Sequence, residues 1–223
     1  MTQKFFNAKR IIRMLAIPVA VAGLFGSQAM AQSWEVGGLA GGSFYTGADV
    51  KGVADSGKVG FKNGYGFGGF IGNDMYSHVS GELRYMYYFS DLKVESGGQE
   101  ATFTGRVNLI HYDFLLHLTD RESAIRPFVA GGGGVKQFRG TGKEVAAQPL
   151  SNLALLTRES EVQGVISVGG GVKVKVGDHV QFRVEVRDFI SPFPKKVISP
   201  SINTKISGWL HDIVPMAGLS FLF

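Results

Sequence analysis

From residue 161 to residue 187 the side chains alternate with a period of two. Val162, Gly164, Ile166, Val168, Gly170, Val172, Val174 and Val176 share one parity; Glu161, Gln163, Ser167, Lys173 and Lys175 share the other. After Gly177-Asp178-His179 the alternation resumes, with Val180, Phe182, Val184 and Val186 set against Gln181, Arg183, Glu185 and Arg187. Successive side chains of a strand point to opposite faces, so this stretch reads as a hairpin of two long strands joined by a tight turn. Each strand has one apolar and one charged face. No helical hydrophobic face of comparable length occurs, and no run of 18 apolar residues follows residue 31.

The same organisation recurs along the chain. Strands are expected at about 34–45, 64–71, 78–89, 102–118 and 125–139, then the hairpin, then a last strand at about 208–223. The fourth has an ambiguous phase: Phe103, Val107 and Leu109 share one parity, Tyr112, Phe114 and Leu116 the other. A bulge near Ile110 would reconcile them. Connections near 72–77, 119–124 and 177–179 are short. Those near 46–60, 90–101, 140–160 and 190–207 are long, and are expected to be open to protease. All the short turns therefore fall at one end of an eight-stranded sheet and all the long loops at the other. Glycine, at 32 residues, is about twice its usual share of roughly 7%. It sits inside alternating segments, where it permits sharp bending and close backbone approach.

The first residues read as a secretory signal. Lys4, Lys9, Arg10 and Arg13 precede an apolar run from Met14 to Gly26, and Ala29-Met30-Ala31 offers a cleavage site, placing the signal at 1–31 and the barrel domain at 32–223. The basic balance of the whole chain, 23 Lys+Arg against 18 Asp+Glu, loses four cations with the signal and becomes nearly neutral. It is no argument for nucleic acid. With no cysteine in an exported chain, disulfides supply none of the stability.

Period alone allows two barrels: a soluble one with valines inside, or a membrane one with valines outside. Three features favour the membrane. Lipid-spanning strands need about 9–11 residues, more than the usual five or six of globular strands, and several here are that long. Aromatic residues gather at both ends: Trp34, Phe221 and Phe223 at the short-turn end, and Phe44, Tyr45, Tyr87, Tyr88, Phe89, Phe103, Phe189 and Trp209 at the loop end, as interfacial girdles require. The first and last strands are both long enough to pair and close the sheet, which lipid demands because it leaves no water for unpaired backbone groups.

The segments Arg126-Pro127-Phe128-Val129-Ala130-Gly131-Gly132-Gly133-Gly134, Arg183-Val184-Glu185-Val186-Arg187-Asp188-Phe189 and Val214-Pro215-Met216-Ala217-Gly218-Leu219-Ser220-Phe221-Leu222-Phe223 carry a resemblance. The chain resembles the eight-stranded outer-membrane β-barrels of the OmpA-like and OmpX-like kind over essentially all of 32–223. The resemblance implies an all-β, closed, antiparallel up-and-down transmembrane barrel in the bacterial outer membrane. It implies that Phe223, with Phe221 and Leu219 alternating before it, is the assembly signal shown to the barrel-insertion machinery.

Candidate site residues follow from the parity. Glu82, Arg84, Arg106, Asp113, Lys173, Arg183, Glu185 and Arg187 are expected on the polar, lumen-facing side. An eight-stranded interior is just wide enough for side chains, so these charges should pair, with Glu82, Arg183 and Glu185 at the centre. Trp34, Tyr87, Phe89, Trp209 and Phe221 are expected at the lipid–water interfaces. Lys195, Lys196 and Lys205, in a loop free of acids, are candidate contacts for lipopolysaccharide phosphates. His211 with Asp212 and Ser207 would be the rim set of a lipid A-modifying enzyme, but no supporting nucleophile motif accompanies them. Leu150, Leu153, Leu155 and Leu156 make the third loop apolar enough to fold over the rim. No catalytic residue, cofactor or metal is assigned. The expectation is a monomeric, non-enzymatic barrel that contributes to envelope integrity or surface interaction. A narrow ion channel, a lipid A-modifying enzyme and a soluble periplasmic barrel are the alternatives.

Overall fold

A computed structural model describes residues 33–52, 55–145 and 147–223. The expected signal peptide lies outside the described residues. Fifteen strands follow in order: β1 Trp34–Tyr45, β2 Ala48–Lys51, β3 Ser56–Phe61, β4 Gly64–Asp74, β5 Val79–Phe89, β6 Leu92–Ser96, β7 Gln99–Phe103, β8 Gly105–His117, β9 Ile125–Gly140, β10 Ala154–Leu156, β11 Ser160–Lys175, β12 Val180–Pro192, β13 Ile198–Pro200, β14 Lys205–Ser207 and β15 Trp209–Leu222. Eight of these, each 11 to 16 residues long, close a barrel in the order β1-β15-β12-β11-β9-β8-β5-β4. Every neighbouring pair is antiparallel, and β1 closes the ring by pairing with both β15 and β4. The last residue takes part: Phe223 N–H donates to Trp34 O at 3.0 Å, and Trp34 N–H donates back at 2.9 Å.

The apolar parity faces outward. Val168 and Val184 are each 44% exposed, whereas Arg183 and Glu185 are 0% and 3% exposed. A soluble barrel would have the reverse, so that alternative is set aside. The outward surface is a wall of valine, leucine, isoleucine and aromatic side chains, which only hydrocarbon can solvate without loss.

The fourth barrel strand corrects one expectation. No bulge occurs near Ile110: β8 pairs residue for residue with β5 and β9, through Ile110↔Tyr85 and Ile110↔Val135. Its phase looks ambiguous because the lumen itself changes character along its length. Val107 and Leu109 are inward and buried near the loop end, while Ile110, Phe114 and Leu116 are outward and exposed. An apolar residue on β8 can thus face core or lipid, depending on its height.

The first two long loops are largely strands, and the other two contribute short ones. A five-stranded sheet, β14-β2-β3-β6-β7, and a two-stranded one, β10-β13, cap the loop end. The β6–β7 hairpin turns on Gly97 and Gly98, whose φ values of +57° and +77° are those of the tight hairpin turn that follows the twist of its strands. The inner face of this cap carries Val50, Val59, Phe61, Leu92, Val94, Phe103 and Ile206, all buried. They pack with Tyr88, Leu109, Phe138 and Phe189 from the barrel wall into one apolar core. Leu153 and Leu156 of the third loop join it, while Leu155 stays 42% exposed. Tyr45, Tyr88, Phe103 and Phe189 therefore belong to this core and not to an interfacial girdle.

Candidate functional site

Beneath the apolar core, the inward parity of the wall is charged. Among the described residues six buried acids, Glu35, Asp74, Glu82, Asp113, Glu185 and Asp212, meet six buried bases, Arg84, Arg126, Lys136, Lys173, Arg183 and Arg187. The equality matters: a lumen with zero net formal charge attracts neither anions nor cations as a class. The centre is a square of ions. Arg183 donates to Glu82 at 2.9 Å and to Glu185 at 3.0 Å, while Arg84 donates to Glu82 at 2.8 Å and also to Glu185. Lys173 adds bonds to Glu82 at 3.0 Å and Glu35 at 2.6 Å. Arg187 reaches Glu185 at 3.4 Å and Asp113 at 3.0 Å, and His111 lies 3.1 Å from Asp113. Phe70 and Phe128 cover the guanidinium of Arg183 at 4.7 and 5.2 Å from their centroids. Charges buried this deeply persist because each lies within 4 Å of an opposite charge; unpaired, any one of them would be strongly destabilising.

Glycine makes room for these side chains. On β9 and β11 the inward positions beside the ions are Gly132, Gly134, Gly169 and Gly171. A Cβ at Gly132 would lie 2.4 Å from Asp113 Oδ1, and one at Gly171 would lie 2.6 Å from Glu185 Cβ. Small and large residues alternate to fill a narrow interior. The glycine excess is thus a matter of space as well as of strand bending.

Two smaller clusters flank the square. At the short-turn end Arg126 bonds Asp74 at 3.1 Å, and His117, which the sequence left without a role, is buried against Ser80. Toward the loops Lys136 bonds Asp212 at 2.6 Å, with Ser43 on the other carboxylate oxygen. The rings of Tyr45, Phe138 and Phe189 surround Lys136 at 4.9, 5.4 and 5.9 Å. This pair forms the seam between the ionic plug and the apolar core.

Seven of the eight expected lumen residues, Glu82, Arg84, Asp113, Lys173, Arg183, Glu185 and Arg187, come together in this network. Arg106 does not. It is on the outward parity of β8, half-buried, with its guanidinium 4.7 Å above the Phe89 ring and 4.0 Å from Asp91. The missing bulge is the reason: an uninterrupted β8 puts even-numbered residues outside. Glu35, Asp74, Arg126, Lys136 and Asp212 went unrecognised, although each shares the parity of buried neighbours on its own strand. His211 and Asp212 are not a pair. Asp212 turns inward to Lys136, and His211 stands on the outer wall bonded to Asp188 at 2.8 Å. Ser207 sits in the cap sheet opposite Asp49.

The interfacial aromatics all face outward. Trp209 and Phe221 are exposed and Trp34 is partly so; Tyr87 and Phe89 cover each other edge to face at 5.2 Å. Phe223, also exposed, stacks near Phe221 at 6.4 Å. Lys195, Lys196 and Lys205 are exposed on the cap; Lys205 lies directly opposite Lys51.

Known proteins agree with this architecture. Residues 17–199 match the family described as outer membrane protein beta-barrel domain. Among solved structures, the outer membrane protein OprG from Pseudomonas aeruginosa is similar at 13% identity, covering 86% of this chain and 95% of that chain with a TM-score of 0.54. Neisserial surface protein A is similar at 10% identity, covering 85% and 96%, with a TM-score of 0.52. Identities this low speak for the fold alone. No curated protein matches significantly by sequence. An outward apolar wall, a closed ring of eight strands and the family match together place the protein in the bacterial outer membrane, and the chain belongs to the outer membrane protein β-barrel family.

Proposed function

We propose that this protein is a non-conducting, non-catalytic barrel that supports the integrity of the envelope and presents an ordered sheet to its surroundings. The observation that supports this reading is the double obstruction of the lumen. A neutral plug of six acids and six bases fills one half, and an apolar core continuous with the cap fills the other. An ion crossing it would have to break several buried pairs at once and then enter a region lined mainly by apolar side chains, each step costing several kcal/mol. Short turns belong to the periplasmic side in such barrels, so the cap faces outward. Its exposed lysines, with Lys205 and Lys51 side by side and Lys195 and Lys196 nearby in sequence, support contact with anionic surfaces such as lipopolysaccharide. The purified barrel in planar bilayers should give no stepwise current. Discrete openings in the wild-type protein, altered in size by Glu185→Gln, would replace this reading with a channel.

A further inference from the structure

The outer wall near the loops carries an arrangement that neither the plug nor the cap explains. Neighbouring barrel strands place Tyr65, Phe89, Arg106, Arg139 and Ser160 in one register row across β4, β5, β8, β9 and β11. All are on the outward parity. Arg106 and Arg139 are thus direct cross-strand partners. Opposed side chains in an antiparallel pair have Cβ atoms about 4.5–5.5 Å apart, and like charges there repel. Arg139 is exposed and forms no ion pair among the described residues, and the nearest carboxylate to Arg106, that of Asp91, is 4.0 Å away. The next row toward the membrane centre is Phe67, Tyr87, Asn108, Gln137 and Val162, and the row after it holds Tyr85, Ile110 and Val135. Hydrogen bonds link the polar members into a ladder: Tyr85 to Asn108 at 2.7 Å, Asn108 to Gln137 at 3.4 Å and Gln137 to Ser160 at 3.1 Å. Beside Arg106 a cleft of about 350 Å³ opens, with Lys62, Asn63, Tyr65, Asp91 and Thr104 on its walls.

We propose that Arg106 and Arg139 bind a phosphate of an outer-leaflet glycolipid, whose sugar and ester groups rest on the Asn108–Gln137 ladder. The chemistry changes with height in the sequence such a lipid presents: cations, then amides and hydroxyls, then the aliphatic wall of Ile110 and Val135. An anion between the two arginines would remove their mutual repulsion and engage both guanidinium forks, which suit phosphate oxygens in paired hydrogen bonds. The Arg106 guanidinium lies 4.7 Å from the Phe89 ring centroid, with Nη1 donating to Gly105 O at 2.6 Å and its other N–H groups left to an anion. The occupant is a lipid because the site opens on the acyl-facing wall, flanked by the aromatic cluster of Tyr65, Phe67, Tyr87 and Phe89. The proposal requires the membrane placement but not a sealed lumen.

The test titrates the detergent-purified full barrel with diphosphorylated lipid A, with its dephosphorylated counterpart and with inorganic phosphate, following bound species by native mass spectrometry. Phosphorylated lipid A should bind wild-type protein roughly tenfold or more tightly than it binds R106Q/R139Q, the equivalent of at least one charge-assisted contact. R106K/R139K should fall between them, since it keeps charge but loses the forks. The dephosphorylated lipid should bind wild type no better than phosphorylated lipid binds the double variant. Equal affinity of wild type and R106Q/R139Q for phosphorylated lipid A would overturn the proposal. So would saturation by inorganic phosphate alone at the same concentrations, which would mark a free-anion site. Should the double variant insert poorly, R139Q, altering one exposed side chain, carries the same comparison. A negative result leaves the conductance experiment untouched, so the two readings fail separately.

Discussion

Replacing Glu185 by alanine removes the carboxylate on which three guanidinium groups converge. Arg183 and Arg187 lie 3.0 and 3.4 Å from its Oε2, and Arg84 bonds both its oxygens. The remaining acids are already engaged: Glu82 by Arg84, Arg183 and Lys173, and Asp113 by Arg187 and His111. The lumen is left with five acids facing six bases. Removing one partner from a buried, hydrogen-bonded pair costs about 3–5 kcal/mol. A domain of this length loses about 2–4 °C of midpoint per kcal/mol, so the expected drop is about 6–20 °C. The assay is thermal unfolding in detergent, followed by circular dichroism and by loss of the compact, heat-modifiable band on gels. Glu185→Gln, which keeps the shape and one acceptor, should fall less. The exposed Lys93–Glu95 pair, at 2.9 Å, supplies the control, and Glu95→Gln should leave the midpoint unmoved. A drop below about 2 °C for Glu185→Ala, the size of an ordinary surface substitution, would refute the argument that the ionic square organises the lumen.

Two further outcomes follow from the packing of the wall and cap. Gly134→Ala would put a methyl carbon 2.0 Å from the Ile110 carbonyl oxygen, whereas Gly164→Ala meets nothing within 4 Å. The first should lower the folded yield and the midpoint, by about 1–3 kcal/mol or more as overpacking does, and the second should do neither; equal behaviour of the pair would contradict the close approach of β8 and β9. Trypsin applied to intact cells should cut first after Lys143, an exposed residue outside any strand, and spare Lys58, Lys93 and Lys205, which lie in paired strands. Rapid cleavage at all four long connections would mean that the cap sheet does not form.

Much of the site could be read from alternation because alternation is local. Once Val184 and Val186 are assigned to lipid, Arg183, Glu185 and Arg187 have only the lumen left, and the same logic placed Glu82 and Arg84. It misplaces Arg106 because β8 carries apolar residues on both parities, a pattern that a bulge would also produce. The actual cause is a lumen with two halves, charged below and apolar above, so that Val107 inside and Ile110 outside are both correct. That boundary is created by the loops that cover the barrel, and no window of consecutive residues contains it. The same distance in sequence hid Lys136 and Asp212: they stand 76 residues apart, and each is the other's ionic partner at the edge of the apolar core. The apolar third loop did signal its burial, since Leu153 and Leu156 are costly to leave in water, but its β10–β13 pairing joins residues some forty positions apart.

The sequence by itself determined the eight barrel strands, the outward and inward faces of those that alternate cleanly, and the end at which the long connections gather, because a period of two follows from backbone geometry alone. Only the tertiary structure decided which charges neutralise which, that the loops form a sheet, and that Arg106 and Arg139 stand side by side facing lipid. Those outcomes depend on the register between strands and on the closure of the ring, which bring into contact side chains whose positions in the chain are unrelated.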